Sequence, residues 1–401
     1  MHLTHLSLTN FRAFSRLDID VPRRVLLLAG DNAQGKTSLL EAIYFLATFT
    51  SFHAQSDKQL INFLASSETL AVTRIVAEFE RDERRHRLEA RLIQEAVGPS
   101  SVRLRKEILL DGVKKPVAET VGQFNAVIFL PQMTRILENG PEERRRYLNL
   151  TLAQAVPGFA RLISDYQHGI TQRNALLKLL GERSGDPEQL TYWDEMVARN
   201  GAAIIHARIQ ALEEIEHLAG TIMQQLTHGA EVLRMMYQPA YDPLPRQEGQ
   251  YALPLQTAVS RKRLTAEQIR QGFVQALEAN RREEIIRGVT TIGPHRDEVR
   301  FMSNGIDLSD YGSRGQVRSA LLALKLAEIA WLKEKTGQWP VLLLDETLAE
   351  LDEHRRSDLL GTLEGVDQAI LTTTDARHFP QDFRQKSAVW MVKAGVVTAD
   401  V

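Results

Sequence analysis

The chain reads as an α/β protein whose central sheet is assembled from both chain ends, with an inserted mainly helical lobe between them. Three observations predict this. A Gly-rich turn separates the apolar run Val25-Leu26-Leu27-Leu28-Ala29 from a helical stretch, Ser38 to Leu46. A second apolar run, Val341-Leu342-Leu343-Leu344, reads as a buried strand and ends in Asp345-Glu346. From Glu142 to about Leu226 apolar residues instead recur three and four apart, the period of helices packed on one face.

Taken in order, Leu3 to Leu8 largely alternates apolar and polar residues, as a half-buried strand should, and leads into Asn10-Phe11-Arg12. The octapeptide Gly30-Asp31-Asn32-Ala33-Gln34-Gly35-Lys36-Thr37 then fits the pattern G-x-x-x-x-G-K-[ST] in the strand-turn-helix context that pattern requires. Its glycines let backbone N–H groups point inward at phosphate oxygens, and the following helix offers its positive end to the same anion. Lys36 is expected to reach the β/γ-phosphates of ATP and Thr37 to hold Mg²⁺, with Gly30 through Ser38 lining the triphosphate and Arg12 approaching it from the first strand. Strands are expected over Leu70 to Phe79, His86 to Ile93, Lys106 to Leu110 and Ala126 to Phe129, with Asp111-Gly112 as a hairpin signal. Helical periodicity covers Leu148 to Leu180 and Ala198 to Leu226; β structure returns near Ala230 to Tyr237 and Thr290 to Met302, and a helix follows from about Gln316 to Lys335. Pro243, Pro245 and Pro254, with Gly249, mark a loop. These patterns divide the chain into 1–130 and 286–401, the two parts of one domain, and 131–285, the helical lobe with its connecting loop.

Composition excludes several classes. With 43% hydrophobic and 25% charged residues the chain is of ordinary globular type, and it has no run of about 18 uncharged apolar residues. No signal-peptide pattern opens it, so the expected location is the cytoplasm and no membrane is expected as partner. Zero cysteines remove disulfides, thiolate metal sites and cysteine nucleophiles. A formal charge of -2 runs against the net basic footprint of most nucleic-acid binders. Arg144-Arg145-Arg146, Arg261-Lys262-Arg263 and Arg281-Arg282 nevertheless form local basic clusters, readable either as DNA-facing stripes or as solvated helix faces balanced by Glu.

Asp345 has the place of the aspartate that holds the Mg²⁺ shell, and Glu346 that of a residue orienting or deprotonating the attacking water. Thr37 and Asp345 are 345 − 37 = 308 positions apart, so both ends of the chain must contribute to one site. Ser313-Arg314-Gly315-Gln316 opens the helix ahead of that strand, with Ser313 suited to cap it. Ala349-Glu350-Leu351-Asp352 follows at the spacing of a D-loop, and Leu371-Thr372-Thr373-Thr374-Asp375 closes the next expected strand, where a switch residue would sense the γ-phosphate. In this order the segments describe an ABC/SMC-like P-loop ATPase head. In such heads Ser313, Arg314, Gly315, Gln316 and Asp352 would act in trans on ATP held by a second copy.

The chain resembles the RecF family of bacterial DNA replication and repair ATPases. The matching segments are Leu8 to Arg12, Gly30 to Tyr44, Glu142 to Leu148, Gln172 to Lys178, Trp193-Asp194, Gly293-Pro294-His295-Arg296-Asp297, Ser313 to Ser319 and Leu342 to Asp352. The resemblance implies an ATP-dependent homodimer on double-stranded DNA near single-strand gaps, a weak DNA-stimulated ATPase used as a switch, and a place in replication and in the SOS response to DNA damage. It also implies RecR and RecO as partners that help load RecA. The chain departs from the family pattern at Leu130, Gln132 and Met133, at Val317, at Ala349 and at Glu346. Gln132 has a Q-loop-like place. His295 and Arg296 read either as structural or as residues at the head interface or near DNA. An SMC-like structural DNA tether is the alternative, but the helical region is too short for two long coiled-coil arms. A fused nuclease domain has no room in the 401 − 375 = 26 residues after Asp375.

Overall fold

A computed structural model describes residues 1–97, 102–183, 185–244 and 261–399, the side chains of residues 349, 350 and 378 excepted. The expected loop at Pro245, Gly249 and Pro254 lies outside the described residues. The chain divides into two compact units, Met1–Met133 with Glu328–Val401, and Thr134–Ala327. The second boundary falls well beyond the 285/286 junction expected from sequence. The reason is strand pairing: Glu298–Ser303 runs antiparallel to Leu233–Gln238 and also pairs with Ile306–Asp307, so this stretch belongs to the lobe.

The first unit contains two six-stranded sheets. In one, strands Ala388–Lys393, Arg24–Ala29, Gln368–Thr373, Val341–Asp345 and Ala126–Phe129 lie parallel in that order, and Val396–Ala399 adds an antiparallel edge. Leu26, Leu27 and Leu28 are fully buried, as are Val341, Leu342 and Leu343, because a parallel strand covered on both faces has no solvent side. The other sheet is antiparallel: Phe14–Asp20, His2–Phe11, Leu70–Arg81, Arg84–Ala96, Val102–Leu110 and Val113–Lys115. The Asp111-Gly112 turn has φ of 52° and 81°, the doubly left-handed form that two-residue hairpins favour.

Helix Lys36–Thr48 packs against strands of both sheets, which explains why Leu39, Leu40, Ile43, Phe45 and Leu46 are all buried rather than confined to one stripe. One continuous core joins it to Leu6, Phe11, Leu28, Ile75, Ile128 and Leu343. That core holds the helix start, and hence Lys36 and Thr37, in a fixed place.

The second unit is built on helices Pro141–Ala155, Phe159–Arg183, Thr191–Leu226 and Ala266–Arg287, with the three-stranded sheet already named. The last of these helices has the end signals sequence reading needs: Thr265 and Gln268 form a reciprocal capping box, and Gly288 closes it at φ 65°. The expected strand from Thr290 begins only at Glu298, because Asp297 is turned inward to accept from Ala240 N–H, Tyr237 O–H and Arg208. Buried charges tie three helices together. Arg173 donates to Asp194 (2.7 Å) and Glu284 (2.6 Å), and Arg281 donates to the other oxygen of Asp194 (2.8 Å).

Arg173→Ala leaves Asp194 and Glu284 buried with less positive charge to meet them. A loss of about 3–5 kcal/mol is expected, read as a lower urea midpoint with an unchanged slope.

Candidate nucleotide site

The phosphate loop has the backbone its sequence calls for. Gly30 sits at φ 153°, and a Cβ there would stand 2.3 Å from the Val392 carbonyl oxygen, so no other residue fits. Its N–H donates to Thr373 O at 3.2 Å, joining the loop to the neighbouring strand. Ala33 and Gly35 also take left-handed conformations, at φ 63° and 109°. The Gln34 carbonyl accepts from Gly395 N–H (3.1 Å), and its side-chain oxygen accepts from Ala394 N–H (2.6 Å), so the tip of the C-terminal hairpin clasps the loop.

Lys36 is 4% exposed. Its ammonium donates to the carbonyls of Gly30 and Asp31 and stands 3.4 Å from the Glu346 carboxylate. Thr37 Oγ1 lies 3.0 and 2.9 Å from the two oxygens of Asp345, across a sequence separation of 308. Asp345 also accepts from the Thr372 hydroxyl. A cleft of about 320 Å³ is lined by Asn32 through Ser38, Ala13, Pro131, Gln132, Asp345 and Glu346. Gln132 is thus brought to the loop despite the altered segment around it. Thr372, Thr373 and Thr374 line an adjoining cavity of about 310 Å³ that shares Glu346.

Arg12 departs from expectation. Its Nε and Nη2 each donate at 2.7 Å to the buried carboxylate of Glu41, which also accepts from Ser51. Arg12 does not line the cleft; it braces the phosphate-loop helix from outside.

In the other unit Ser313 and Gln316 form a reciprocal cap: Ser313 Oγ accepts from Gln316 N–H at 3.2 Å, and Gln316 Oε1 accepts from Ser313 N–H at 3.0 Å. Ser313, Arg314 and Gly315 are exposed, while Val317 is buried. Asp352 caps helix Glu353–Glu364 by accepting from Arg355 N–H. The Ala349 side chain lies outside the described residues.

The DNA candidates divide. Arg144 is buried, with Nε and Nη2 on Glu298 at 2.7 and 2.8 Å, and Arg281 is buried on Asp194, Glu188 and Thr191. Both are corrected to structural roles, because a guanidinium held in the interior does not reach a phosphate. Arg145 is half-buried and donates to the Asp297 carbonyl, whereas Arg146 and Arg282 are exposed.

His295 also proves structural. Tyr166 O–H meets its Nδ1 at 2.6 Å, and its Nε2 faces the Thr290 carbonyl at 3.3 Å, an arrangement that suits the neutral ring. Burial pushes its pKa down to about 4. Arg296 is exposed. Among the described residues no group of three or more His, Asp or Glu is placed to hold a metal ion, and no helix is long and apolar enough to cross a membrane.

A phosphate loop and an acidic strand separated by an intervening strand, in a sheet drawn from both chain ends, define an ATPase head of the ABC/SMC type. The family model described as the RecF/RecN/SMC N-terminal domain matches residues 2–398. The DNA replication and repair protein RecF of Chloroflexus aurantiacus is 36% identical, with all of both chains covered, and that of Thermomicrobium roseum is 38% identical over 94% of each. A solved structure of the recombination mediator protein RecF with ATPrS, described as in the RecFOR pathway, is 28% identical with a TM-score of 0.82, covering 100% of this chain and 98% of that one. The chain belongs to the RecF family.

His295 gives a pH signature. Its folded pKa lies below the unfolded value of about 6.5, so the unfolded chain binds the extra proton between those values. Stability conferred by the neutral ring is present above pH 6.5 and lost as pH falls toward 4. Urea unfolding across that window should show a steeper acid loss for the wild-type chain than for His295→Gln.

Proposed function

We propose that the chain is an ATP-driven DNA-binding switch of recombinational gap repair and replication restart, acting in the cytoplasm where the chromosome lies. The observation that carries this is the meeting of Thr37 and Asp345 beside a buried Lys36, which gathers the parts of an ATP site from the two chain ends. Gly30 through Ser38 would surround the triphosphate with backbone N–H groups. Lys36 would leave the Gly30 and Asp31 carbonyls for the phosphates. The Thr37 hydroxyl and Asp345 carboxylate are hard oxygen donors of the kind Mg²⁺ takes, and the ion when bound supplies charge neutralisation at the phosphates. Glu346 would orient the attacking water and accept its proton.

The exposed Ser313, Arg314 and Gly315, with Gln316 and Asp352, would complete the site on a second copy, so ATP favours the dimer and slow hydrolysis, weakly stimulated by DNA, returns it to monomers. Dimerisation would place basic residues along double-stranded DNA near a single-strand gap, with phosphates tracked and few bases read. Arg145, Arg146 and Arg282 are the remaining candidates for that contact. Membership of the RecF family supports RecR and RecO as partners and RecA loading as the outcome.

Fluorescence anisotropy on gapped duplex DNA, with light scattering in parallel, tests this reading. Tight binding and a dimer are expected with ATP but not with ADP or in Lys36→Ala; DNA affinity indifferent to nucleotide would refute it. Charge reversal at Arg146 with Arg282 should weaken ATP-dependent binding and flatten its salt dependence by roughly one unit of slope per lost phosphate contact. An unchanged slope removes them from the DNA surface.

A further inference from the structure

Strand Gln368–Thr373 lies between the phosphate-loop strand and the strand ending at Asp345, and its register sets Thr372 beside Asp345. The Thr372 side chain is buried. Its hydroxyl oxygen stands 2.7 Å from Asp345 Oδ1, and the Glu346 backbone N–H points at the same oxygen from 3.0 Å. A hydroxyl has one proton to give and lone pairs to receive. An ionised carboxylate only accepts, so Thr372 donates to Asp345 and accepts from Glu346. One side-chain oxygen thereby ties the carboxylate of the first acid to the backbone of the second.

Both acids need that tie. Glu346 sits at φ 48°, a left-handed conformation that a non-glycine residue keeps only when its surroundings impose it. The bond from its N–H to Thr372 is one such restraint, and it acts on the turn from which the Glu346 carboxylate reaches the cleft. Asp345 has its two oxygens within 3.0 Å of Thr37 Oγ1, so the bond from Thr372 to Oδ1 fixes the carboxylate plane that faces Thr37.

We propose that Thr372 is a positioning residue for ATP hydrolysis, setting the Asp345 carboxylate and the Glu346 turn together through a single hydroxyl. The assignment rests on the ATPase reading above. Valine would keep the branched shape that suits a strand but neither donates nor accepts, leaving the Glu346 N–H without this partner. Serine keeps the hydroxyl and loses only the methyl group.

The test is steady-state ATP turnover against ATP and against Mg²⁺ for the wild-type chain, Thr372→Ser, Thr372→Val and Lys36→Ala, with thermal melts alongside. T372V should lower kcat by about 10–100-fold, leave KM for ATP little changed and raise the Mg²⁺ concentration needed for half-maximal turnover. T372S should restore both kcat and the Mg²⁺ requirement toward wild type, a rescue that a purely packing role would not predict. If T372V fails to fold, Thr372→Cys, a weak donor and acceptor of similar size, takes its place with the same expectation. Wild-type turnover in a folded T372V or T372C overturns the assignment alone, as does a folded T372S as impaired as the valine variant. A wild-type chain with no Lys36-dependent turnover overturns the ATPase reading and this assignment with it.

Discussion

The contact between Thr37 and the Asp345 carboxylate is the constraint on which the site depends. Thr37 lies in the first turn of the phosphate-loop helix, and Asp345 ends a strand that follows the whole helical lobe in the chain. Neither residue can be placed unless the sheet first brings chain ends together in the right register. The parallel pairings of Leu27 with Leu371 and of Leu344 with Leu371 do this through buried apolar strands. The polar contact is therefore a result of hydrophobic packing: the core sets the distance, and the two side chains exploit it.

Much of this was legible in the sequence because the signals are local and repeated. An apolar run, a Gly-Lys-Thr turn and a helix identify the loop, and Leu342 to Glu346 identifies the acidic strand, so their meeting could be anticipated. What stayed hidden depends on distant partners. Phe14–Asp20 carries too few alternating apolar residues to announce itself as a strand, and it forms because His2–Phe11 offers it an edge. The hairpin Ala388–Ala399 likewise depends on its pairing with Arg24–Ala29, and with it the grip of Ala394 and Gly395 on Gln34. By contrast, Thr265, Gln268 and Gly288 mark the ends of helix Ala266–Arg287 by local chemistry alone.

Arginine proved the hardest residue to place from sequence. Arg144 and Arg281 stand in basic clusters that look like a DNA surface, yet both face inward onto carboxylates. The difference from exposed Arg146 and Arg282 lies in helix phase and in acids far away in sequence, Glu298 and Asp194. Arg173 and Arg208 carry the same lesson further. A buried guanidinium without its acid is strongly unfavourable, so Arg173 holds Asp194 and Glu284 in the lobe's interior and Arg208 holds Asp297 there.

The placement of strand Arg24–Ala29 has a consequence for how the molecule is made. In the finished sheet both its edges are taken by strands that come late, Gln368–Thr373 and Ala388–Lys393. Synthesis at about 5–20 residues per second separates these strands by some tens of seconds on the ribosome. During that interval the strand has no partner at either edge, and an apolar strand with open edges is prone to pair wrongly. The nascent chain thus carries this strand unpaired until residues 368 to 393 have been made, and the same late segment supplies the contacts that hold Gln34 of the nucleotide loop.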